Sequence, residues 1–379
     1  MTKTVNIAGY HPLAVYANRS VGLKDVTTNT PFKNAVTVDL SYIPGISYMH
    51  GLSAEEQYYK YNSYDYMFWY SNNLTTVTNM NTATTSLIYT FYCCKNLVNI
   101  PTLPNSVTEM SYTFYGCSNL TTPPVLPGSV INMSGCFMST NLTSAPTIPN
   151  TVQRMDSAFQ LTNIIIAPTI PDSVIDMSSA FKNCSNLNIE TICLPNNPNL
   201  NTARLTDTYT NLTTLRRINI SRAQSLGGFF SNCTDLTTVD QTFWNSFNIN
   251  QSQIVNLHNA FLCCNNLTTL AYIPNNVQDI RSLCFNCPNI TTVARSAIPA
   301  GITNIANAFY NCPNLTGDIY ISAANITNAA GAFYNANPNV AKTVYIPFNT
   351  NTYNAFIAAN YTTDGSYQNI YLRDINTAN

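Results

Sequence analysis

Four near-copies of one sequence pattern follow one another between Ile100 and Leu187. They are IPTLPNSVTEMSYTFYGCSNL, PPVLPGSVINMSGCFMSTNL, APTIPNTVQRMDSAFQLTNI and APTIPDSVIDMSSAFKNCSNL. Self-similarity at a fixed period of roughly 20–50 residues is the mark of a solenoid, in which stacked copies bury a core that no single copy could close. The repeat therefore constrains the fold more than any single motif does.

An aromatic residue occupies the same position in each copy and serves as the anchor of the alignment. Around the anchor Phe114, apolar residues stand at Val107, Met110, Cys117 and Leu120, in steps of three or four. Such steps place side chains on one face of a helix, so we predict a short α-helix or 3₁₀-helix in the first part of each copy. Successive anchors lie 22–23 residues apart, at Phe91, Phe114, Phe137, Phe159 and Phe181.

Turn residues bound this predicted helix, and a short strand is expected after it. Pro-Asn-Ser and its variants supply a turn and a capping hydroxyl at the start, and Asn in Cys-Ser-Asn tolerates the left-handed conformation that ends a helix. Leu-x-x-apolar follows, as in Leu97–Ile100 and Leu267–Leu270. One such strand per copy, always running in the same direction, predicts a parallel sheet along one side of the stack.

These residues resemble the bacterial surface antigen A (BspA) type of leucine-rich repeat, whose units look like x-I-P-x-S-V-T-x-I-x-x-x-A-F-x-x-C-x-x-L. The resemblance implies an α/β solenoid with one parallel strand and one short helical segment per unit of about 23 residues. It also implies a curved, extracellular-facing recognition surface, as on bacterial, protist and phage proteins, and it implies no chemistry. It spans roughly Tyr64–Val340 and is clearest in Ile100–Leu120, Ile170–Leu187, Ile273–Ile290 and Ile298–Leu315.

The repeat divides the chain into three predicted regions. Residues 1–62 do not fit the repeat and form an N-terminal cap or attachment region, with β-like runs at Thr4–Ile7 and Ala35–Leu40. Residues 63–340 form the solenoid, whose first, imperfect copy has Phe68 as its anchor. Residues 341–379 form a C-terminal cap. We expect this cap to contain a strand at Val344–Ile346, a helix at Thr352–Ala359 and a strand at Asn369–Leu372.

The composition limits the classes of partner. Charged residues make up 9% of the chain and the net charge is −1, whereas about 25% of the residues of ordinary soluble proteins are charged. No basic stripe exists to neutralise phosphates, so we expect no nucleic-acid partner. No run of 18 apolar residues exists, so we expect no membrane span. An uncharged polar surface suits hydrogen bonding to sugars or close packing in an assembly, but it also suits simple solubility.

Cysteines recur at one position of the repeat, three residues after the anchor. In a stack they would form a buried ladder, and their parallel side chains fit the torsion of a disulfide poorly, so reduced core thiols are favoured over disulfides. Only Cys284 and Cys287 form a Cys-x-x-Cys pair, so we predict neither a metal nor another cofactor. The seven cysteines are Cys94, Cys117, Cys184, Cys233, Cys264, Cys287 and Cys312.

Pairs of threonines after the repeat leucine are the first candidate ligand site. Flat threonine arrays order water or contact glycans, but threonines also simply favour strands and satisfy backbone groups. Trp244 joins the candidates because an insertion in a solenoid often lies on the binding face; packing on its own copy is the alternative. The candidates are Thr121, Thr122, Thr213, Thr214, Thr237, Thr238, Thr268, Thr269 and Trp244.

A cluster of aromatic residues precedes and enters the first copy. Aromatic residues are enriched in protein interfaces, and they also close the open end of a coil. Tyr58, Tyr59, Tyr61 and Trp69 are therefore candidate interface residues, with capping as the alternative.

Catalytic groups do not converge in this sequence. His11, His50 and His258 are scattered, and His258 is expected to be an outward polar residue. The few acidic residues give no acid–base pair, and no phosphate-binding glycine loop is present. We therefore predict that the protein is not an enzyme.

Three functional hypotheses follow. The first is a phage virion component, bound to other virion proteins through its N-terminal region and presenting the coil to a host surface glycan or protein. It rests on the start of the chain, where no secretory signal is evident. The second is a cell-surface adhesin of a bacterium or protist, and the third is a glycan-degrading enzyme. A homo-oligomer is compatible with each of them.

Overall fold

The protein consists of two compact units, Met1–Ile192 (unit 1) and Cys193–Asn379 (unit 2), each containing a stack of repeat copies. The structure, a computed structural model, describes residues 4–5, 37–39, 46–47, 60–61, 63–203, 205, 212–247 and 249–377. We call each copy a rung and name it after its anchor residue. The predicted solenoid of stacked copies is confirmed in each unit.

Short strands pair mainly in parallel. The strands of unit 1 are β1 (Thr4–Val5), β2 (Thr37–Asp39), β3 (Ile46–Ser47), β4 (Lys60–Tyr61) and β5 (Thr76–Thr78). Strands β1, β2 and β5 form a parallel sheet in that order, and β3 pairs antiparallel with β4. The strands of unit 2 are β6 (Thr238–Val239), β7 (Thr269–Leu270), β8 (Thr292–Val293), β9 (Ile319–Tyr320), β10 (Lys342–Ile346) and β11 (Ile370–Asp374).

Helices are few and short in the described part of the chain. Asp240 caps the second α-helix by accepting a hydrogen bond from the amide of Phe243 at 2.7 Å. None of these helices has the length and hydrophobicity to cross a membrane. The α-helices are α1 (Leu212–Leu215), α2 (Gln241–Asn245) and α3 (Asn351–Ala358), and 3₁₀-helices lie at Ile189–Thr191, Gln251–Gln253 and Ile375–Thr377.

A second line of parallel pairing runs beside the anchors. Each rung there contributes a single bridging residue, so the pairing continues from rung to rung without a named strand. The bridges connect Ser63, Ser86, Glu109, Asn132, Arg154 and Asp176 in unit 1, and Ser225, Asn256, Asp279, Asn304 and Asn328 in unit 2. The parallel arrangement predicted from the repeat is therefore present, although most rungs contribute less strand than expected.

The anchor segments are series of turns rather than the predicted helices. In the Phe91 rung, Thr90 N–H donates to Leu87 O, and Cys94 N–H donates to Phe91 O. The third residue of each turn is left-handed, with φ of 54° at Tyr89 and 57° at Cys93. A left-handed residue in each turn breaks the helical bonding pattern. Two successive four-residue turns produce the same three-and-four spacing of inward side chains as a helix, which explains the wrong prediction.

The amides that a helix would use internally instead connect the rungs. Leu87, Tyr89, Phe91 and Cys93 donate their N–H groups to carbonyls of the next rung, at 2.6–3.0 Å. Every second residue of the segment thus bonds along the stack, as in a parallel sheet. Backbone pairing between rungs therefore extends through the anchor segments.

Asparagine has a different place from the one expected. The left-handed asparagines include Asn183, Asn232, Asn286 and Asn311, which precede the repeat cysteine instead of following it. The asparagine after Cys-Ser forms a side-chain ladder: Asn119 Nδ2 donates to Asn96 Oδ1 at 3.2 Å. Asparagine thus serves both the turn and the contact between rungs.

The anchors form stacked columns in the core, as predicted. In unit 1, ring centroids of successive anchors from Phe68 to Phe181 are 5.4–5.8 Å apart, and the rings are nearly parallel. In unit 2, Phe230 stacks on Phe261 at 5.5 Å, and Phe309 stacks on Phe333 at 5.4 Å. Each of these rings is buried. Offset stacking adds to the hydrophobic free energy of burial.

The repeat cysteines form ladders of free thiols. Cys117 Sγ donates to Phe91 O at 3.1 Å, and Cys287 Sγ donates to Phe261 O at 3.0 Å. In each case the acceptor is the anchor carbonyl of the preceding rung. Thr140 and Thr162 stand at this position in two rungs and bond the anchor carbonyl of their own rung instead. All 12 cysteines of the chain are free, and six of the seven repeat cysteines are buried.

The predicted elements of the C-terminal cap are present. Strand β10 pairs in parallel with both β9 and β11, and α3 lies between β10 and β11 in sequence. Phe356 of α3 continues the anchor column at 6.4 Å from Phe333, and the Tyr361 hydroxyl accepts a hydrogen bond from Phe333 N–H at 2.8 Å. Buried Lys342 donates to the carbonyls of Ala336, Asn337 and Val340.

Alkaline pH should unfold this protein steeply. Burial raises the pKa of seven buried thiols above the usual value of 9.0, to about 12 at Cys233: Cys94, Cys117, Cys136, Cys233, Cys264, Cys284 and Cys312. Below pH 9 both states hold these protons. Above it only the unfolded chain releases them, so each thiol costs about a tenfold drop in folding equilibrium per pH unit.

One group opposes this effect. Burial lowers the pKa of Lys342 to about 8, so this single group adds stability between that pH and the usual lysine pKa. Above pH 9, the stability lost through the seven thiols exceeds the stability gained through Lys342. Unfolding monitored by circular dichroism against pH should show a cooperative loss of structure above pH 9, shifted to higher pH in Cys117→Thr but not in Cys193→Thr, whose thiol is half-buried. A flat profile to pH 11 would contradict the argument.

The imidazole ring of His258 lies against Gly227. Its ring is half-buried, and Nδ1 lies 2.8 Å from Asn256 Oδ1. A Cβ at Gly227 would lie 2.2 Å from His258 Cε1. Glycine at 227 thus leaves the space that the imidazole fills.

Gly227→Ala should therefore destabilise unit 2 by about 1–3 kcal/mol through overpacking. Removing the ring in Gly227→Ala/His258→Ala should restore much of this loss, which urea denaturation in a double-mutant cycle would measure. Gly128→Ala is the control, because no atom lies within 4 Å of a Cβ built there. Strict additivity of the two substitutions would show that the ring and the glycine are not coupled.

Candidate functional site

Threonines lie side by side on three neighbouring strands of unit 2. Strands β6, β7 and β8 pair in parallel, with Thr238 opposite Thr269 and Thr269 opposite Thr292. The next residue of each strand points inward and is buried, at Val239, Leu270 and Val293. Because side chains alternate along a strand, burying the apolar residue turns the threonine outward. The column thus repeats at the strand spacing of about 4.8 Å.

A second column of threonines lies immediately before the first and is held by its own hydroxyls. Thr268 Oγ1 donates to Thr237 O at 3.0 Å, and Thr291 Oγ1 donates to Thr268 O at 3.2 Å. Thr316 Oγ1 continues the series by donating to Thr291 O at 3.4 Å. Because these bonds use the hydroxyl protons, the oxygen lone pairs remain as acceptors for an outside donor.

Together these two columns form one exposed surface, the threonine face. Its members are half-buried or exposed, and none of them carries a charge. The Thr291 and Thr292 hydroxyls lie 3.4 Å apart, so the two columns meet. The threonine face consists of Thr237, Thr238, Thr268, Thr269, Thr291, Thr292 and Thr316.

Aromatic side chains lie on strands β9 and β10, which follow the threonine face in sequence. Tyr320 of β9 stacks on Tyr345 of β10 with ring centroids 4.7 Å apart. The Arg295 guanidinium lies 4.5 Å from the Tyr320 centroid, a distance typical of a cation–π contact. Arg295, Tyr320 and Tyr345 thus stack on one another through one cation and two phenol rings.

The remaining predicted threonines lie elsewhere. Thr121 and Thr122 are exposed in unit 1, where their segment forms no strand. Thr213 and Thr214 lie in α1, so their expected place at a strand entrance is wrong. The structure therefore brings together four of the eight predicted threonines. The threonine pair Thr291 and Thr292, which stands at the same position of the repeat, joins them, and Thr316 extends the second column.

Trp244 is a core residue, so its assignment as a ligand-binding residue is wrong. It is fully buried in α2, with its ring centroid 6.1 Å from that of Phe230 and 6.2 Å from that of Phe261. Its Nε1 donates to Tyr272 O at 3.1 Å. The inserted segment folds back onto its own rungs, because a two-ring side chain and two phenylalanines bury more apolar area there than on a loop.

The predicted aromatic interface is described in part. Tyr58 and Tyr59 lie outside the described residues, and Tyr61 belongs to β4. Trp69 is half-buried and contacts Tyr66 at 5.6 Å and Tyr92 at 6.0 Å between centroids. Whether Trp69 is an interface residue or a cap residue stays a prediction.

Sequence reasoning missed two tyrosine columns beside Trp69. Tyr66, Tyr89 and Tyr112 stack at 5.0 Å intervals, and Tyr92 stacks on Tyr115 at 4.4 Å. The columns end at the Phe137 rung, where a Cβ at Gly135 would lie 2.4 Å from the Tyr112 ring. The aromatic residues that recur on both sides of the anchor in the sequence could have predicted these columns.

Groups of metal-binding side chains are absent from the part of the chain that the structure describes: no three His, Cys, Asp or Glu residues there could hold an ion. Burial raises the pKa of the Cys117 and Cys264 thiols, so these two thiols keep their protons. The described arrangement thus offers hydroxyls and phenols for hydrogen bonding.

The chain belongs to the BspA type leucine rich repeat region family, which matches it in six copies over residues 63–164, 130–254 and 240–360. No match was found among curated proteins. Solved structures of bacterial leucine-rich repeat proteins are similar to it, with low sequence identity and low TM-scores.

One is a leucine-rich repeat protein from Bacteroides ovatus, 16% identical with a TM-score of 0.36, covering 90% of this chain and 92% of that one. Another is a leucine rich cell surface protein from Faecalibacterium prausnitzii, 18% identical with a TM-score of 0.37, covering 85% of this chain and 90% of that one.

The two tryptophans should differ in access to quenchers. With Trp244 as the single tryptophan (Trp69→Phe), emission should be blue-shifted and weakly quenched by acrylamide. With Trp69 alone (Trp244→Phe), quenching should be stronger. Trp244→Phe should also cost about 1–3 kcal/mol in urea denaturation, because it leaves a cavity and an unpaired Tyr272 carbonyl. Quenching of Trp244 as strong as that of Trp69 would place Trp244 at the surface and contradict its burial.

Proposed function

We propose that this protein is a non-enzymatic recognition protein that binds an uncharged glycan through the threonine face. The observation that carries the proposal is the register of Thr238, Thr269 and Thr292 on three rigid strands. A row of hydroxyls at fixed spacing matches a ligand that itself repeats hydroxyl groups. A neutral ligand is favoured because no charge on the threonine face would offset the desolvation of a charged one.

Binding is favoured over catalysis by the chemistry of the face. Threonine hydroxyls without an adjacent base are poor nucleophiles and poor acids, whereas they are good hydrogen-bond partners. Membership of the BspA type family supports the same proposal, since the resemblance implies a recognition surface and no chemistry. The rungs supply a preorganised support, so little conformational entropy is lost on binding.

We also propose a location for the protein. We place the protein on a phage virion, as a tail or head appendage attached to other virion proteins through residues 1–62. The bacterial or protist cell surface is the competing location, and the surface-antigen character of the family supports it equally. Mass spectrometry of purified virions and surface labelling of intact cells would separate the two: absence from virions together with labelling on cells would refute the virion assignment.

Removing the hydroxyls should weaken glycan binding without unfolding the protein. Thr238→Val/Thr269→Val/Thr292→Val keeps the branched shape and the strand preference. Three lost hydrogen bonds should weaken binding to neutral polysaccharides about tenfold or more, measured on a glycan array and then by titration calorimetry.

The matched control is Thr121→Val/Thr122→Val, which changes exposed threonines that lie outside the threonine face. It should bind as the unchanged protein does. Equal loss in both variants, or none in either, would remove the threonine face as the binding site. Saturable binding that survives the triple substitution would keep a glycan function but place it elsewhere.

A further inference from the structure

Five tyrosines of unit 1 stack their rings in two columns on neighbouring rungs. The rings of Tyr92 and Tyr115 are the closest pair, with centroids 4.4 Å apart and planes 3° apart. In the other column, the rings of Tyr66, Tyr89 and Tyr112 follow one another at 5.0 Å. Ring carbons of one phenol therefore face ring carbons of the next. All five residues are half-buried, so a small molecule in solution can reach them.

Backbone hydrogen bonds hold the closest pair in register. Phe91 N–H donates to Thr113 O at 2.9 Å, and Cys93 N–H donates to Tyr115 O at 2.6 Å. These two bonds lie directly before and after Tyr92, so they keep the two tyrosines opposite each other on adjacent rungs. Reacting groups that are held together in this way react much faster than the same groups free in solution. The pair is therefore preorganised for a reaction between its own two phenols.

We propose that Tyr92 and Tyr115 are a modification site, at which a small one-electron oxidant joins the two phenols into a dityrosine link between rungs. The hydroxyl group is the decisive feature of the pair. A phenol loses an electron and a proton far more readily than the ring of a phenylalanine does. Burial raises the pKa of Tyr92, so this phenol stays uncharged beside Tyr115.

The reaction balances in electrons and protons. The oxidant takes one electron from each ring, and each hydroxyl releases its proton, which leaves two phenoxyl radicals. The unpaired electrons reach the ring carbons beside the oxygens, and one carbon–carbon bond forms between a Cε atom of Tyr92 and a Cε atom of Tyr115. Each of these carbons then passes its hydrogen to the neighbouring oxygen, which restores both aromatic rings and both hydroxyls. Overall, two electrons reduce the oxidant and two protons pass to water.

Such a link gives the stack a covalent reinforcement that its cysteines do not provide. All 12 cysteines are free, and parallel side chains on adjacent rungs fit the torsion of a disulfide poorly. A cross-link between rungs closes a loop of chain and lowers the entropy of the unfolded state, which stabilises the folded one. The same geometry recurs in unit 2, where Tyr320 stacks on Tyr345 at 4.7 Å with planes 4° apart.

Oxidation of the full chain with a ruthenium photosensitiser, light and persulfate tests the proposal. Lys95 lies between the two tyrosines, so trypsin places them in different peptides. Mass spectrometry should find these two peptides joined within one chain and lighter than their sum by two hydrogen atoms. Fragment spectra should assign the link to Tyr92 and Tyr115.

A matched pair of variants tests the role of the phenol. Tyr115→Phe keeps the ring stack but has no hydroxyl at this position, so it should lose the link to Tyr92. Tyr353→Phe is the control and should keep that link, because the Tyr353 ring contacts Phe348, with centroids 4.6 Å apart. Circular dichroism would show that both variants are folded.

Oxidation in urea separates the effect of the fold from the general reactivity of tyrosine. The unfolded chain should lose its preference for the Tyr92–Tyr115 link, because its tyrosines then meet at random. Oxidation of the folded protein should raise the urea midpoint of the unchanged chain more than that of Tyr115→Phe. Absence of the link in the folded protein, equal yields of it with and without urea, or equal midpoint shifts in the two proteins would each overturn the proposal.

Discussion

Every feature of this protein depends on one constraint: a rung buries its anchor ring only against the equivalent ring of a neighbouring rung. A single copy of about 22 residues has too few apolar groups to close a core. Backbone amides at alternate positions of the anchor segment donate to the next rung and hold neighbouring rungs at bonding distance. That separation allows the phenylalanines to stack at 5.4–5.8 Å in unit 1. Backbone pairing and apolar packing therefore support each other.

Stacking also converts each repeated residue into a column. Cysteine becomes a ladder of thiols bonded to anchor carbonyls, asparagine becomes a ladder of amides, and threonine becomes a surface of hydroxyls. A side chain that is unremarkable in one copy thus acquires a collective property at fixed spacing. For a recognition protein this is useful, because repetition multiplies weak hydrogen bonds along a ligand that repeats in the same way.

The departures from expectation share a physical cause. The anchor segment has the apolar spacing of a helix, yet left-handed residues such as Tyr89 and Cys93 direct its amides toward the next rung. Trp244 occurs in an insertion, but burying its ring against Phe230 and Phe261 outweighs exposure on a loop. In both cases contacts with another rung decided the outcome. Local sequence patterns do not contain those contacts.

The sequence by itself determined the repeat, its period, the inward anchors and the family, because copies of one pattern with recurrent apolar positions can bury them only by stacking. The elements of the C-terminal cap were also predictable from their strand and helix patterns. Only the tertiary structure decided which threonines meet, since Thr238, Thr269 and Thr292 are neighbours through strand register while Thr213 lies in a helix. The physical reason is that a column exists only where adjacent rungs keep the same register.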